Sequence, residues 1–360
     1  MTWLTSYSAA AELTDNFRGR QDHLHLLAAG LLGEAGSIVA EIKKINREAG
    51  AYPSYRQRLT EELGDFLWYF VRIISVCDRG LLDNLRPLKE NRSSGELDIR
   101  AALDLGAAVG RVLSLVQEKQ PSELESTLML VWSTLAVVAN RAGVNLEDAG
   151  VANLAKVGSR WPVEKSFHGL FDEEYPVEEQ IPRSLTIQFL ERSNGSRGLV
   201  LLRCNAIGIG DRLTDNIADS DGYRYHDIFH IAHAVFLGWS PVVRALLRCK
   251  RKSRPEVDEN EDGARAVIIE EAVSAIVFSR AKQMRYFESA AQVDYDLLKD
   301  IQEFVHGYEV DQVPVWQWEK AILEGYRLFR LLRSTPGGQV TWDLHRRSLD
   351  WSPPKRSEAL

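Results

Sequence analysis

Apolar residues in the first half of the chain recur at the spacing of helices. Leu24, Leu27, Ala28, Leu31, Ile38 and Ile42 share one stripe, and Leu59, Leu63, Phe66, Leu67, Phe70, Ile73 and Ile74 form a second. Further helical patterns cover about 101–118 and 122–142, the latter with Pro121 near its first turn, where a missing N–H has no partner to lose. Asn145 followed by Asp148 resembles a capping box and predicts a last short helix through Val157. The polar stretch from Arg86 to Arg100, with Pro87 and the turn Ser93-Ser94-Gly95, predicts a loop. Four or five helices joined by short loops make a bundle over residues 1–165.

The pattern then changes. Residues 171–182, FDEEYPVEEQIP, hold five carboxylates and two prolines, which predicts an acidic linker over 166–183. Two β-prone runs, Leu185–Leu190 and Leu199–Cys204, flank Asn194-Gly195, a hairpin signal. Helical spacing resumes near Tyr225 and continues to Leu332, giving a hairpin-plus-helices domain over 184–335 and a tail over 336–360. The predicted fold is mainly α: an N-terminal helical bundle and a C-terminal, mostly helical domain with a small β-hairpin.

Composition narrows the class. With 360 residues and 45% hydrophobic content the chain can bury two cores. Its net charge of −7 argues against a duplex nucleic-acid binder. No run of 18 apolar residues predicts a membrane span, and the N-terminus lacks the pattern of a secretory signal. Cys77, Cys204 and Cys249 stand far apart and form neither a metal motif nor a disulfide framework, which fits a reducing cytoplasm.

The informative carboxylates are few. Glu34 and Glu41 lie two turns apart on one helical face, and Glu62 and Asp65 share a face of the next helix with Glu61 beside them. Glu62 and Asp65 sit among Leu63, Phe66, Leu67, Trp68 and Tyr69, so that helix is apolar round most of its circumference. Partly burying acids there is costly without compensating cations. Gly36 and Gly64 lie beside these acids; each costs a helix about 1 kcal/mol relative to alanine and predicts close helix approach. Acidic oxygens from two packed helices suit a hard cation such as Mg²⁺.

GLLGEAGSIVAEIKK followed by EELGDFLWYF resembles the all-α nucleoside triphosphate pyrophosphohydrolases of the MazG type, whose signature is ExxE, a spacer, then ExxD. The ExxD half is intact as Glu62-Leu-Gly-Asp65. A third element, Asn153-Leu-Ala-Lys156-Val-Gly-Ser-Arg160-Trp161-Pro, matches the N…K…R run that closes the family's bundle. Together the three cover roughly residues 20–162. The resemblance implies Mg²⁺ (or Mn²⁺) held by Glu34, Glu62 and Asp65. It implies Glu41 or Glu61 as a further ligand or water-orienting base, with Lys44, Asn153, Lys156 and Arg160 on the nucleotide. It also implies cleavage of a nucleoside triphosphate to monophosphate and pyrophosphate, and a homodimer or higher oligomer. One position departs: the second acid of ExxE is Ser37, a neutral and weak ligand. Either Glu41 takes its role, or the site holds fewer metals, or it binds nucleotide without turnover.

The second domain concentrates His226, Asp227, His230 and His233 on one helix face, and Glu270 and Glu271 on an apolar helix downstream. Histidines four apart can share a metal, so this is a candidate second divalent-metal or acid–base site. The His-Asp pair resembles that of HD-type phosphohydrolases, though their other ligands cannot be placed. The segment from Arg224 to Phe278 looks more like the C-terminal extension of some MazG-like proteins. Between these helices, five cations within 248–254 precede five anions within 256–262. They make either a self-neutralising loop or a basic lip for phosphate. Trp316 and Trp318 belong to a core or an interface. Three readings therefore stand: the pyrophosphohydrolase, a nucleotide-sensing module, and a metal hydrolase centred on the histidines.

Overall fold

The apolar stripe of α2 (His23–Glu48) is buried at Leu27, Ala28, Leu31, Ala35, Ile38 and Ile42, and α2 packs on both α3 (Tyr55–Cys77) and α5 (Ile99–Glu118). The structure is a computed structural model and describes residues 2–48, 51–52, 54–85, 99–194 and 197–354. It divides into two compact units, Met1–Glu164 and Lys165–Leu360. The predicted loop from residue 86 lies almost wholly outside the described residues, as do Gly195 and the last six positions.

The first unit is all helical. Helix α3 is buried at eleven positions and carries α1 (Trp3–Leu13), the short α4 (Leu81–Asn84) and α7 (Leu146–Arg160), while α5 packs on α6 (Leu124–Ala142). Asn145 caps α7 by accepting from the N–H groups of Glu147 and Asp148. The unit's core is built from Leu31, Ile38, Leu63, Phe66, Phe70, Leu105, Val112, Leu128 and Leu135 among others.

By length and composition α2 qualifies as a candidate membrane span, although it holds no unbroken apolar run of that length. Its apolar stripe is buried within the bundle and its midpoint carries the carboxylate of Glu34.

The second unit is mostly helical around a five-stranded antiparallel sheet of order β3-β2-β1-β4-β5. The strands are β1 (Ser184–Asn194), β2 (Arg197–Cys204), β3 (Ile207–Leu213), β4 (Gly338–Asp343) and β5 (Ser348–Ser352). β1 and β2 pair in the register Asn194↔Arg197. The segment predicted as a tail from residue 336 instead supplies β4 and β5, because Val340 and Trp342 alternate into the core and β4 pairs with β1. Nor is the acidic stretch a solvated linker. The Asp172 carboxylate is buried, accepts from the Ile181 N–H and Arg244, and pairs with Arg183.

Helix α8 (Asp227–Leu237) is buried at every position and packs on α13 (Val315–Ser334). Around it lie α9 (Pro241–Leu247), α10 (Pro255–Asn260), α11 (Ala264–Gln283) and α12 (Tyr295–Val305). Trp316 and Trp318 are both buried, so they belong to this core.

Candidate functional site

Three carboxylates converge in the first unit. Glu34 comes from the middle of α2, and Glu62 and Asp65 come from one face of α3; each offers an oxygen, and these oxygens lie within 4.8 Å of one another. Close helix packing sets this up. A Cβ on Gly64 would meet the Ala149 carbonyl at 2.6 Å, so α7 can lie against α3 only because residue 64 is glycine. Gly30 plays the same part between α2 and α3: its missing Cβ is replaced by the ring of Tyr69. Among the described residues a Cβ on Gly36 would meet nothing within 4 Å, so the close approach predicted for it is not made there.

Helix α7 closes the cluster with Asn153 and Lys156. The Asn153 amide donates to Asp65 at 2.7 Å, and the Lys156 ammonium donates to both Asp65 and Glu61. Behind them the buried Tyr7 hydroxyl of α1 donates to Asn153 Oδ1 at 2.9 Å. The Asn153 side chain is thereby oriented with its amide toward the acid.

The charges are unevenly balanced. Burial and the neighbouring charges of Asp65 and Glu62 push the Glu34 carboxyl up to about 7, with Lys156 opposing. Burial works against the Lys156 ammonium, but Asp65 and Glu61 outweigh it and raise its pKa. Burial, with the charges of Glu34 and Asp65, raises Tyr69.

The other residues singled out from the sequence fall elsewhere. Glu41 accepts from the Tyr52 hydroxyl at 2.5 Å, and Lys44 lies over the Tyr52 ring at 3.9 Å. Among the described residues Glu41 therefore does not join the three acids in place of Ser37, which is half-buried on α2. Arg160 is buried at the end of α7 and stacks on Trp161 at 4.6 Å. Tyr7 carries no signal in the sequence, and Tyr69 is visible there only as an apolar neighbour of the acids.

The second unit brings its own cluster together. His226 donates from Nδ1 to the Tyr223 carbonyl at 2.9 Å, stacks on the Tyr223 ring, and places Nε2 3.4 Å from Asp227. The Glu270 carboxylate, fully buried, has one oxygen 3.0 Å from His233 Nδ1 and 3.1 Å from His230 Nδ1. Its other oxygen accepts from the Ser240 hydroxyl and the Val242 N–H, each at 3.0 Å. Glu271 lies 3.5 Å from His230 Nε2.

Burial alone would lower the His230 pKa, yet Glu270 and Glu271 hold it at about 10. Burial would raise Glu270, yet His230 and His233 hold it at about 2. Asp227 is raised, chiefly by burial.

The centre of the basic run is not part of a lip: Arg251 is fully buried and pairs with Asp262 and Glu309, while Arg248, Lys252 and Arg254 stay exposed, Arg254 reaching Glu174. Burying a guanidinium at this position requires those carboxylates, and it leaves Arg251 unable to meet phosphate.

Comparison with known proteins agrees with the two-unit division. The family profile "MazG C-terminal domain" matches residues 166–355. The "Gene 37 protein" of Mycobacterium phage L5 is 32% identical over 100 residues, which span 25% of this chain and 88% of that protein. No solved structure matches.

Proposed function

The chain belongs to the MazG C-terminal domain family, and on that premise we propose that its N-terminal bundle is a Mg²⁺-dependent nucleoside triphosphate pyrophosphohydrolase, releasing pyrophosphate from an NTP or dNTP. The observation that carries this reading is the convergence of Glu34, Glu62 and Asp65 from two helices. An all-oxygen, anionic donor set suits a hard divalent cation. Glu61 and Asp65 share the Lys156 ammonium at the edge of this cluster, where a cation and its triphosphate would be met by both signs of charge.

When bound, Mg²⁺ supplies charge neutralisation of the triphosphate and a more acidic water. The chain's own residues do the positioning. Asn153 and Tyr7 hold Asp65 in one orientation, so its oxygens present toward Glu34 and Glu62 without a rearrangement. Lys156 holds its ammonium between α3 and α7, where a phosphate oxygen can replace Asp65 as partner. Arg160, stacked on Trp161, places a second cation one turn further along α7. Glu61 remains as the carboxylate able to orient water. A nucleotide substrate is consistent with a cytoplasmic protein. Leu103, Met129, Leu130 and Val137 on α5 and α6 are exposed apolar residues of the kind a homodimer would cover.

A second reading, nucleotide binding without turnover, is favoured by one observation. Glu41 is engaged by Tyr52, so Ser37 has no carboxylate substitute among the described residues. Assaying NTPs and dNTPs with Mg²⁺ or Mn²⁺, reading pyrophosphate and orthophosphate separately, decides between them. Pyrophosphate release abolished by Glu62→Ala or Asp65→Ala is the expected result. Binding without either product selects the second reading. Unchanged release by either variant sinks the site.

A further inference from the structure

The histidine cluster of the second unit takes no part in the nucleotide reading, and its geometry has a specific chemical sense. We propose that His226 Nε2, Asp227 and His230 Nε2 form a site for a divalent metal that favours imidazole, Zn²⁺ or a metal like it, with Glu270 as the positioning residue behind it.

The tautomers point this way first. His226 donates its Nδ1 proton to the Tyr223 carbonyl, which leaves Nε2 as a lone pair beside Asp227. Glu270 sits against Nδ1 of both His230 and His233, and its far oxygen is fastened by Ser240 and the Val242 N–H. A carboxylate or carbonyl behind Nδ1 is what holds a metal-binding histidine with Nε2 turned to the ion.

The second observation is independent of the first. His230 is fully buried, and among the described residues neither ring nitrogen makes a directed hydrogen bond, although carboxylate oxygens lie 3.1 and 3.5 Å away. At Nε2 the nearest carboxylate is Glu271, 3.5 Å away, so an enclosed ring nitrogen is left facing the site that His226 and Asp227 line. Two ligand atoms about 2.0–2.1 Å from a tetrahedral metal stand roughly 3.3–3.4 Å from one another. The 3.4 Å separation of His226 Nε2 and Asp227 matches that edge.

Ligand atoms of His226, Asp227 and His230 also fall within 4.8 Å of one another. Two imidazoles select against Mg²⁺, so the bundle's all-oxygen cluster and this one would draw different metals. The Glu271 side chain is 41% exposed whereas His230 is enclosed, so one edge of the site faces solvent and an exchangeable ligand can enter there.

The test uses the full chain, stripped with chelator and titrated with Co²⁺ in excess Mg²⁺ to saturate the all-oxygen cluster. The expected result is one tightly held Co²⁺ per chain with the intense visible absorption of four- or five-coordination, displaced by Zn²⁺. His226→Gln and Asp227→Asn should each weaken binding at least about 100-fold. Glu270→Gln should weaken it about 10–100-fold, because the positioning group is lost and not a ligand. Should His230→Gln fail to fold, His226→Gln with an unchanged melt decides alone. A weak octahedral spectrum in the parent protein, or a parent-like spectrum in His226→Gln, overturns the proposal. Pyrophosphate release from the bundle is scored separately, so failure of either site leaves the other standing.

Discussion

Tyr7 donates its hydroxyl hydrogen bond to Asn153 Oδ1 at 2.9 Å, and by doing so it turns the Asn153 amide toward Asp65. The two residues are 146 positions apart, so the first and last helices of the bundle meet behind the acidic cluster. Removing the hydroxyl leaves a buried amide oxygen without that partner.

Tyr7→Phe should therefore cost about 1 kcal/mol of stability and release the Asn153 rotamer. Pyrophosphate release should fall several-fold, more than a comparably destabilising change elsewhere in the core, such as Ile74→Val, once both are assayed well below their melting temperatures. Equal losses in the two variants would reduce Tyr7 to a packing residue.

The glycines predict opposite outcomes. Gly64→Ala sets a methyl 2.6 Å from the Ala149 carbonyl, so α7 must shift away from α3 and carry Asn153 and Lys156 with it. A loss of roughly 1–3 kcal/mol and of nucleotide binding is expected. Gly36→Ala meets nothing within 4 Å and should stabilise the protein by up to about 1 kcal/mol through helix propensity. Thermal melts of the two variants check both signs.

How far these features were legible depends on the range of the interaction. Glu62 and Asp65 were readable as a pair because a helix fixes which side chains share a face, and Asn145 as a cap because its partners are two and three residues on. Arg251 was not. Its run of cations reads as solvated, and only folding brings Glu309, 58 residues later, against the guanidinium. Strands β4 and β5 were missed for the same reason. Six alternating residues carry little signal until β1, some 155 positions earlier, supplies a partner such as Thr186 for Thr341. Gly36 shows the converse error: a glycine beside an acid suggested packing, but the neighbour that would require it is absent among the described residues.

Ser37→Glu tests whether the bundle's site is short of a ligand. Ser37 lies one turn from Glu34 on α2, and Glu41 is held by Tyr52. A carboxylate at position 37 should lower the Mg²⁺ concentration needed for half-maximal pyrophosphate release and raise the maximal rate. The same rate with the same Mg²⁺ dependence would mean that three carboxylates suffice.

The Asp15 carboxylate has no exposed side-chain surface and accepts from Arg72 Nε at 3.0 Å, His23 Nε2 at 2.8 Å and the Phe17 N–H at 3.0 Å. Burial alone would raise its pKa, but His23 and Arg72 outweigh it and hold the carboxyl below its usual value. A carboxyl depressed on folding contributes stability that is fully present above its unfolded pKa of about 3.9 and is lost as pH falls through the folded value. Asp15→Asn should thus be about 3–5 kcal/mol less stable at pH 7, since it strands a guanidinium whose side chain is only 3% exposed. The difference from the parent protein should stay constant down to about pH 4 and shrink below it, as the parent loses what the variant never had. Urea melts of both proteins from pH 7 to pH 3 measure it. A gap that widens in acid would show that Asp15 is not held ionised in the fold.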